Sequence, residues 1–226
     1  MIALIVSHGQ PSDPDPAEAE LAELAGKVAR LLPGWDMRSA TLAKPGALAA
    51  AVKGGPGLVH PMFMAGGWFT EVQLPKKLAE AGAEDWQVLA PFGENDAVQR
   101  LCVTLATEAV ADIAQASVLL AAHGSGRSAA PAEVAIAMAA RLRTAGFARA
   151  EAYFIEHPPM IATARGFGPN AICLPFFAAA GGHVVRDLPK ALAEAGFMGR
   201  VLPALGLDLR VPELIAKTLQ SHSIGD

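Results

Sequence analysis

Residues 61–82 read PMFMAGGWFTEVQLPKKLAEAG, and residues 175–196 read PFFAAAGGHVVRDLPKALAEAG. Laid over one another without a gap, the two stretches agree at 12 of 22 positions. They stand 114 residues apart in a chain of 226, so the offset is about half the length. A repeat of that period governs the architecture, because each copy is one structural unit. Two further landmarks recur in the same order. Met1–Gly9 ends in SHG and Ala116–Gly124 ends in AHG, which pairs His8 with His123. Trp86–Gly93, WQVLAPFG, answers Gly199–Gly206, GRVLPALG. The chain is a tandem duplication.

Each half alternates short apolar runs with amphipathic segments, the pattern of strands separated by helices. In the first half, strands are expected at 3–6, 36–42, 57–64 and 87–91. Helices are expected at 16–32, 46–53, 74–81 and 96–114. In the second half the strands fall at 117–122, 150–155, 171–176 and 201–204, with helices at 130–145, 159–164, 188–195 and 211–222. Continuous apolar strands between helices indicate parallel sheets covered on both faces. The expected fold is α/β: two tandem flavodoxin-like or Rossmann-like lobes, 1–114 and 115–226, related by internal duplication. No Pro/Gly/Ser linker separates them, so tight packing and exchange of a terminal helix are expected.

Composition narrows the function classes. Hydrophobic residues make up 52% and charged residues 18%, enough apolar material for a core and too little charge for disorder. No apolar run approaches the roughly 18–20 residues that cross a bilayer, so no membrane partner is expected. The formal charge is -4 and no Lys/Arg cluster occurs, which argues against a nucleic-acid partner. Met1–Val6 is apolar, but the first lysine is Lys27, so the stretch reads as a buried strand rather than a secretion signal. Cys102 and Cys173 suggest neither a disulfide framework nor a zinc site, and a reducing cytoplasm is the expected location.

Ligands of open parallel sheets sit beyond the carboxyl ends of the strands. There the halves differ. After its first strand the second half has His123-Gly124-Ser125-Gly126-Arg127, after its second Glu156, and after its third the run Ala178–Gly182 followed by His183. The first half keeps His8, has Leu42-Ala43-Lys44-Pro45 with no acid, and has Phe69 at the position of His183. Two imidazoles and a carboxylate bind borderline divalent ions and also move protons. No HExxH motif and no complete phosphate loop is found, so neither a hydrolytic zinc site nor a nucleotide is indicated.

AHGS at a strand end, an acid after the second strand, and PFF…GGH…D.P together resemble the class II tetrapyrrole chelatases. Within them the pattern is most similar to the sirohydrochlorin cobaltochelatases, with the siroheme ferrochelatases as siblings. The resemblance spans essentially the whole chain. It implies that His123 and His183 handle the metal and that Glu156 is the acid. It further implies insertion of a divalent ion into a sirohydrochlorin-type tetrapyrrole, with Co²⁺ foremost and Fe²⁺ or Ni²⁺ acceptable. The metal is then a substrate, and no organic cofactor is expected. A large flat macrocycle calls for a cleft between lobes. Its peripheral carboxylates suit Ser125, Arg127, Arg186 and the loop of Ala179, Ala180, Gly181 and Gly182, with His8 lining the substrate. Monomer and homodimer both fit.

Other residues stay open between readings. His157 either assists Glu156 or shapes the turn before Pro158-Pro159. Trp68 and Phe69 either wall a binding surface or fill a lobe interface. His60 aligns with Leu174 inside a strand and reads as a core histidine; His222, in the tail, reads as bystander. A non-catalytic metal or tetrapyrrole carrier would use the same histidines; a regulatory or assembly protein that had lost its chemistry in both halves is the third reading, and the intact His123, Glu156 and His183 count against it.

Overall fold

The computed structural model describes residues 1–223. The first sheet contains β1 (Ile2–Ser7), β2 (Asp36–Thr41), β3 (Leu58–Pro61) and β4 (Gln87–Val88) in the order β2-β1-β3-β4. The second contains β5 (Ser117–Ala122), β6 (Arg149–Phe154), β7 (Ile172–Pro175) and β8 (Arg200–Val201) in the equivalent order β6-β5-β7-β8. All pairings are parallel, and corresponding registers begin at Ile2 opposite Asp36 and at Ser117 opposite Arg149. The duplication is thus exact in topology. In each sheet the chain reverses direction after the second strand and crosses the first to reach the third, which places a switch point at the carboxyl ends of β1 and β3 and of β5 and β7.

The helices follow the connections: α1 (Pro14–Ala29), α2 (Ala47–Ala51), α3 (Leu74–Glu80), α4 (Asp96–Glu108), α5 (Ala130–Thr144), α6 (Leu188–Ala195) and α7 (Val211–Ser223). None is long and apolar enough to cross a membrane. Central strands are buried on both faces, with Ala3–Val6 and Val118–Ala121 inaccessible, as parallel sheets between helices require. Edge strand β6 alternates instead, fully burying Ala150, Ala152 and Phe154 while Arg149, Glu151 and Tyr153 on its other face are half-buried. Those half-buried groups form their own network: Arg149 lies over the Phe167 ring at 3.9 Å, and its guanidinium donates to Glu151.

Packing divides the chain into two compact units: Met1–Phe92 with the segment that begins at Leu209, and Gly93–Asp208. Relative to a boundary at residue 114, the units trade a helix. Helix α7 packs on α1 and β3 of the first unit, and α4 packs on α5 of the second. The reason is physical: an amphipathic helix needs an apolar face to cover, and either sheet offers one.

Three expectations of secondary structure are corrected. Residues 159–164 do not form an α-helix; a 3-10 turn over Ile161–Thr163 replaces it. Pro158 and Pro159 supply no N–H and Met160 is extended, so the turn starts late and stays short. Strands β4 and β8 are only two residues long, because the chain leaves the sheet at Leu89 and Leu202 after one further ladder bond each. Finally, α3 and α6 are each preceded by a π-helical turn, Trp68–Gln73 and His183–Asp187. In both, the N–H of the following leucine reaches back five residues, Leu74 to the Phe69 carbonyl and Leu188 to the His183 carbonyl. Pro75 and Pro189 follow directly, and a proline ring crowds the carbonyl four residues earlier, which opens the turn.

Candidate metal centre

The candidate site lies in the second unit. His123 follows β5, Glu156 follows β6 and His183 follows β7, so three neighbouring strand ends each contribute one side chain. The β ladder holds the first two together beyond the formal strands: Ile155 N–H donates to the Ala122 carbonyl at 3.1 Å and Glu156 N–H to the His123 carbonyl at 3.0 Å. Phe176 N–H donates to the Ala121 carbonyl at 2.7 Å and aligns the third strand end. Gly124 makes the approach possible. Its φ is +72°, and a Cβ there would lie 2.6 Å from His157 Cβ and 3.0 Å from Phe154 Cβ. The third loop is held likewise by Gly206, whose N–H donates to the Phe177 carbonyl and whose missing side chain makes room for Ala178.

One ligand atom from each of His123, Glu156 and His183 lies within 4.8 Å of the other two. The two imidazoles meet edge to face, centroids 4.4 Å apart at 88°. Their tautomers follow from their partners. His123 Nδ1 is 2.8 Å from the Gly124 carbonyl, and a carbonyl only accepts, so Nδ1 carries the proton. Glu156 is 3.9 Å from the same nitrogen, beyond hydrogen-bond reach, and acts on it only through charge. His183 Nδ1 is 2.7 Å from Asp187 Oδ2, and the same reasoning puts its proton there. Both rings are thereby left with Nε2 as the lone-pair nitrogen, the arrangement in which imidazoles ligate metals. All three groups are partly open to solvent, so an ion can arrive without displacing the core.

Asp187 is the residue that sequence reasoning left without a role. The signal was present: Asp187 stands four residues after His183 in a helical turn, and its counterpart in the first half is Gln73. The remaining candidates occupy the surrounding loops. Ser125 Oγ accepts from the N–H groups of Arg127 and Ser128 at 3.0 and 3.3 Å, which closes the turn that leads into α5. Arg127, Ala179 and Gly181 are exposed, and Ala180 and Gly182 half-buried, in loops flanking the centre. The Arg186 guanidinium lies against Gly182, where a Cβ would meet its Nη2 at 2.6 Å. His157 turns its ring edge-on to Phe154 at 5.3 Å, and its Nδ1 is buried without a partner.

The first unit repeats the scaffold and keeps His8, the counterpart of His123, without counterparts of Glu156 and His183. Ala43 N–H donates to the His8 carbonyl at 2.9 Å, the counterpart of the Glu156–His123 bond, so an alanine methyl stands where the carboxylate would be. Gly9 has φ +74° and packs on Thr41 as Gly124 packs on His157 and Phe154. His8 faces Phe69 at 4.4 Å, the same separation as His123 and His183. His60 is buried in β3, with neither ring nitrogen bonded, and burial pushes its pKa down to about 4.

Fold and site together define a duplicated parallel α/β protein with, among the described residues, one His–His–carboxylate cluster at the carboxyl edge of its second sheet. The CbiX family model matches residues 117–222. A solved CbiX, described as the terminal enzyme for biosynthesis of siroheme in denitrifying bacteria, is 46% identical, with 98% of this chain and 99% of that one covered and a TM-score of 0.92. This chain belongs to the CbiX family of class II chelatases. SirB from Bacillus subtilis with Fe³⁺ shares the fold at 12% identity and TM-score 0.76, covering 99% of this chain and 95% of that one. A sirohydrochlorin chelatase SirB from Bacillus subtilis subspecies spizizenii, in complex with cobalt, does so at 16% identity and TM-score 0.65, covering 97% and 94%. No curated protein matches the chain.

Proposed function

We propose that this protein inserts a divalent first-row metal ion, Co²⁺ or Fe²⁺, into sirohydrochlorin or a closely related precorrin tetrapyrrole. The observation that carries the reading is the convergence of His123, Glu156 and His183 within 4.8 Å of one another. Two nitrogens and a carboxylate suit ions of this class, and their selection between cobalt and iron follows supply as much as ligand type. In the reaction M²⁺ enters the macrocycle as two pyrrole N–H protons leave, so the site must bind an ion and accept protons. His123 holds the ion through Nε2 and, once the ion has passed to the macrocycle and freed that lone pair, accepts a pyrrole proton at the same nitrogen; His183 is the second ligand, and Glu156 relays protons outward.

Substrate orientation falls to the flanking loops. Arg127 and Arg186 offer charge to the peripheral carboxylates, and Ser125 a hydroxyl. Ala179, Ala180, Gly181 and Gly182 are small enough to let backbone N–H groups approach the ring. The test is an absorbance time course with sirohydrochlorin and either Co²⁺ or Fe²⁺, comparing wild type with His183→Ala. Many turnovers by wild type and none by the variant support the reading. Binding of the tetrapyrrole with at most one equivalent metallated makes the protein a carrier, and equal conversion by both proteins moves the site elsewhere.

A further inference from the structure

A cavity of about 400 Å³ opens at the amino ends of β7 and β8, the edge of the second sheet opposite the metal centre. That volume falls in the range of small-molecule sites. Two turns build it: Arg165–Gly168, which leads into β7, and Ala195–Met198, which leaves α6 for β8. Gly166, at φ +75°, bends the first so that Arg149 Nη1 donates to the Arg165 carbonyl at 3.0 Å. The walls are the Phe167 and Phe197 rings, centroids 6.2 Å apart, and Met198, which is 70% exposed. Arg165 supplies charge. Its Nη1 donates to the carbonyls of Ala162, Ala164 and Ala195 at 2.9, 2.8 and 3.4 Å, which fixes the guanidinium between the two turns. Among the described residues no carboxylate pairs with it, and its Nε and Nη2 have no hydrogen-bond partner. The fold does not require this set. Counting back from β7 and β3, Arg165 and Phe167 stand where the first half has Ala51 and Lys53, and Gly196-Phe197-Met198 answers Gly82-Ala83-Glu84. The first half builds the equivalent sheet without them.

We infer that this cavity is a binding site for a small planar aromatic carboxylate, separate from the metal centre and filled independently of it. Each part of that chemistry has its own residues. Two aromatic rings and a flexible thioether accept a flat apolar body. The unused side of the Arg165 guanidinium offers Nε–H and Nη2–H, parallel donors that match the two oxygens of a carboxylate. A purely hydrophilic anion would leave the rings uncovered, and a neutral hydrocarbon would leave the guanidinium without a counter-charge. Arg165 and Met198 are both exposed, so the ligand exchanges with solvent without opening the core. Helix α6 separates the cavity from the metal centre: His183 and Asp187 precede its first turn, and Ala195 is its last residue. Its length, about 12 Å at 1.5 Å per residue, keeps an occupant clear of the metal ligands.

Calorimetric titration of 2-naphthoate into the full chain tests the site, with 2-naphthylmethanol as a neutral analogue of the same shape and circular dichroism as the check on folding. Wild type takes one naphthoate per chain with Kd below about 1 mM, and the alcohol about tenfold more weakly. Arg165→Met keeps the apolar stem and removes the charge, so naphthoate weakens about tenfold while the alcohol binds as before. Met198→Asp, at an exposed position that leaves the Arg165 bonds intact, weakens naphthoate about threefold by like charge and carries the test if Arg165→Met fails to fold. His183→Ala binds naphthoate as wild type does. Failure of wild type to bind naphthoate overturns the site. So does unchanged binding in the folded Arg165→Met and Met198→Asp proteins, or a loss shared equally by acid and alcohol. Binding lost in His183→Ala instead places the carboxylate at the metal centre and overturns it as well.

Discussion

Nδ1 of His183 lies 2.7 Å from Oδ2 of Asp187, a single-turn contact inside the π-helical segment that opens α6. The carboxylate fixes the ring's tautomer and aims its Nε2, as outer-shell acids do for ligating histidines. Asp187→Ala should lower metal affinity or insertion rate by roughly 10- to 100-fold, and Asp187→Asn, which keeps an acceptor oxygen, should retain part of it. Steady-state insertion rates together with Co²⁺ titrations of the metal-free protein check this; an unchanged Asp187→Ala enzyme would sink the positioning role.

Among the described residues, His123, Glu156 and His183 of the second unit form the one cluster suited to hold a metal ion. Equilibrium dialysis against Co²⁺ should therefore give one ion per chain, and none at comparable affinity in His123→Ala or His183→Ala. A stoichiometry of two would show that the first unit binds metal through groups other than His8 and Ala43.

Gly124 is required twice, by its φ of +72° and by the 2.6 Å distance from a would-be Cβ to His157 Cβ. Gly124→Ala should destabilise the fold by about 1–3 kcal/mol, because the backbone strain comes on top of the clash. It should also abolish insertion, since the same approach sets Glu156 beside His123. Urea denaturation and the activity assay measure the two effects separately.

His60 has no partner for either nitrogen, and its counterpart is Leu174. His60→Leu should raise stability at pH 7.5 by about 1–3 kcal/mol, the cost of a buried unsatisfied polar group. The pH dependence has a definite sign. The folded-state value, about 4, lies below the ordinary 6.5, so protonation favours the unfolded chain. Stability is retained above pH 6.5 and lost as pH falls toward 4, by up to about 3 kcal/mol. Thermal unfolding at pH 7.5 and pH 5 should show the gap between variant and wild type widening in acid; a constant gap would contradict the assignment.

Cys102 and Cys173 are buried thiols. Burial drives Cys102 far above the usual thiol range and pushes Cys173 up to about 12. Neither should react with iodoacetamide in the native protein at pH 8, and both should be alkylated once the chain unfolds, which mass spectrometry of pulse-labelled samples reads directly.

Much of this molecule was legible before any coordinates. The repeat, the alternation of strands and helices, and the contrast between Glu156 with His183 and Ala43 with Phe69 are linear features, written in residue type and spacing. They located the three loops because ligands of parallel sheets gather at strand ends. What tertiary structure alone decided has a common cause: it depends on which groups meet across space. Helix α7 packs on α1 and β3 of the first half and α4 on α5 of the second, since apolar periodicity tells that a helix has a face to bury and not what it is buried against. The π-helical turns arise from proline crowding a carbonyl a turn earlier, and with them comes the pairing of His183 with Asp187. The closeness of His123 to Glu156 rests on ladder bonds that continue past the strands and on a glycine that lets two backbones touch.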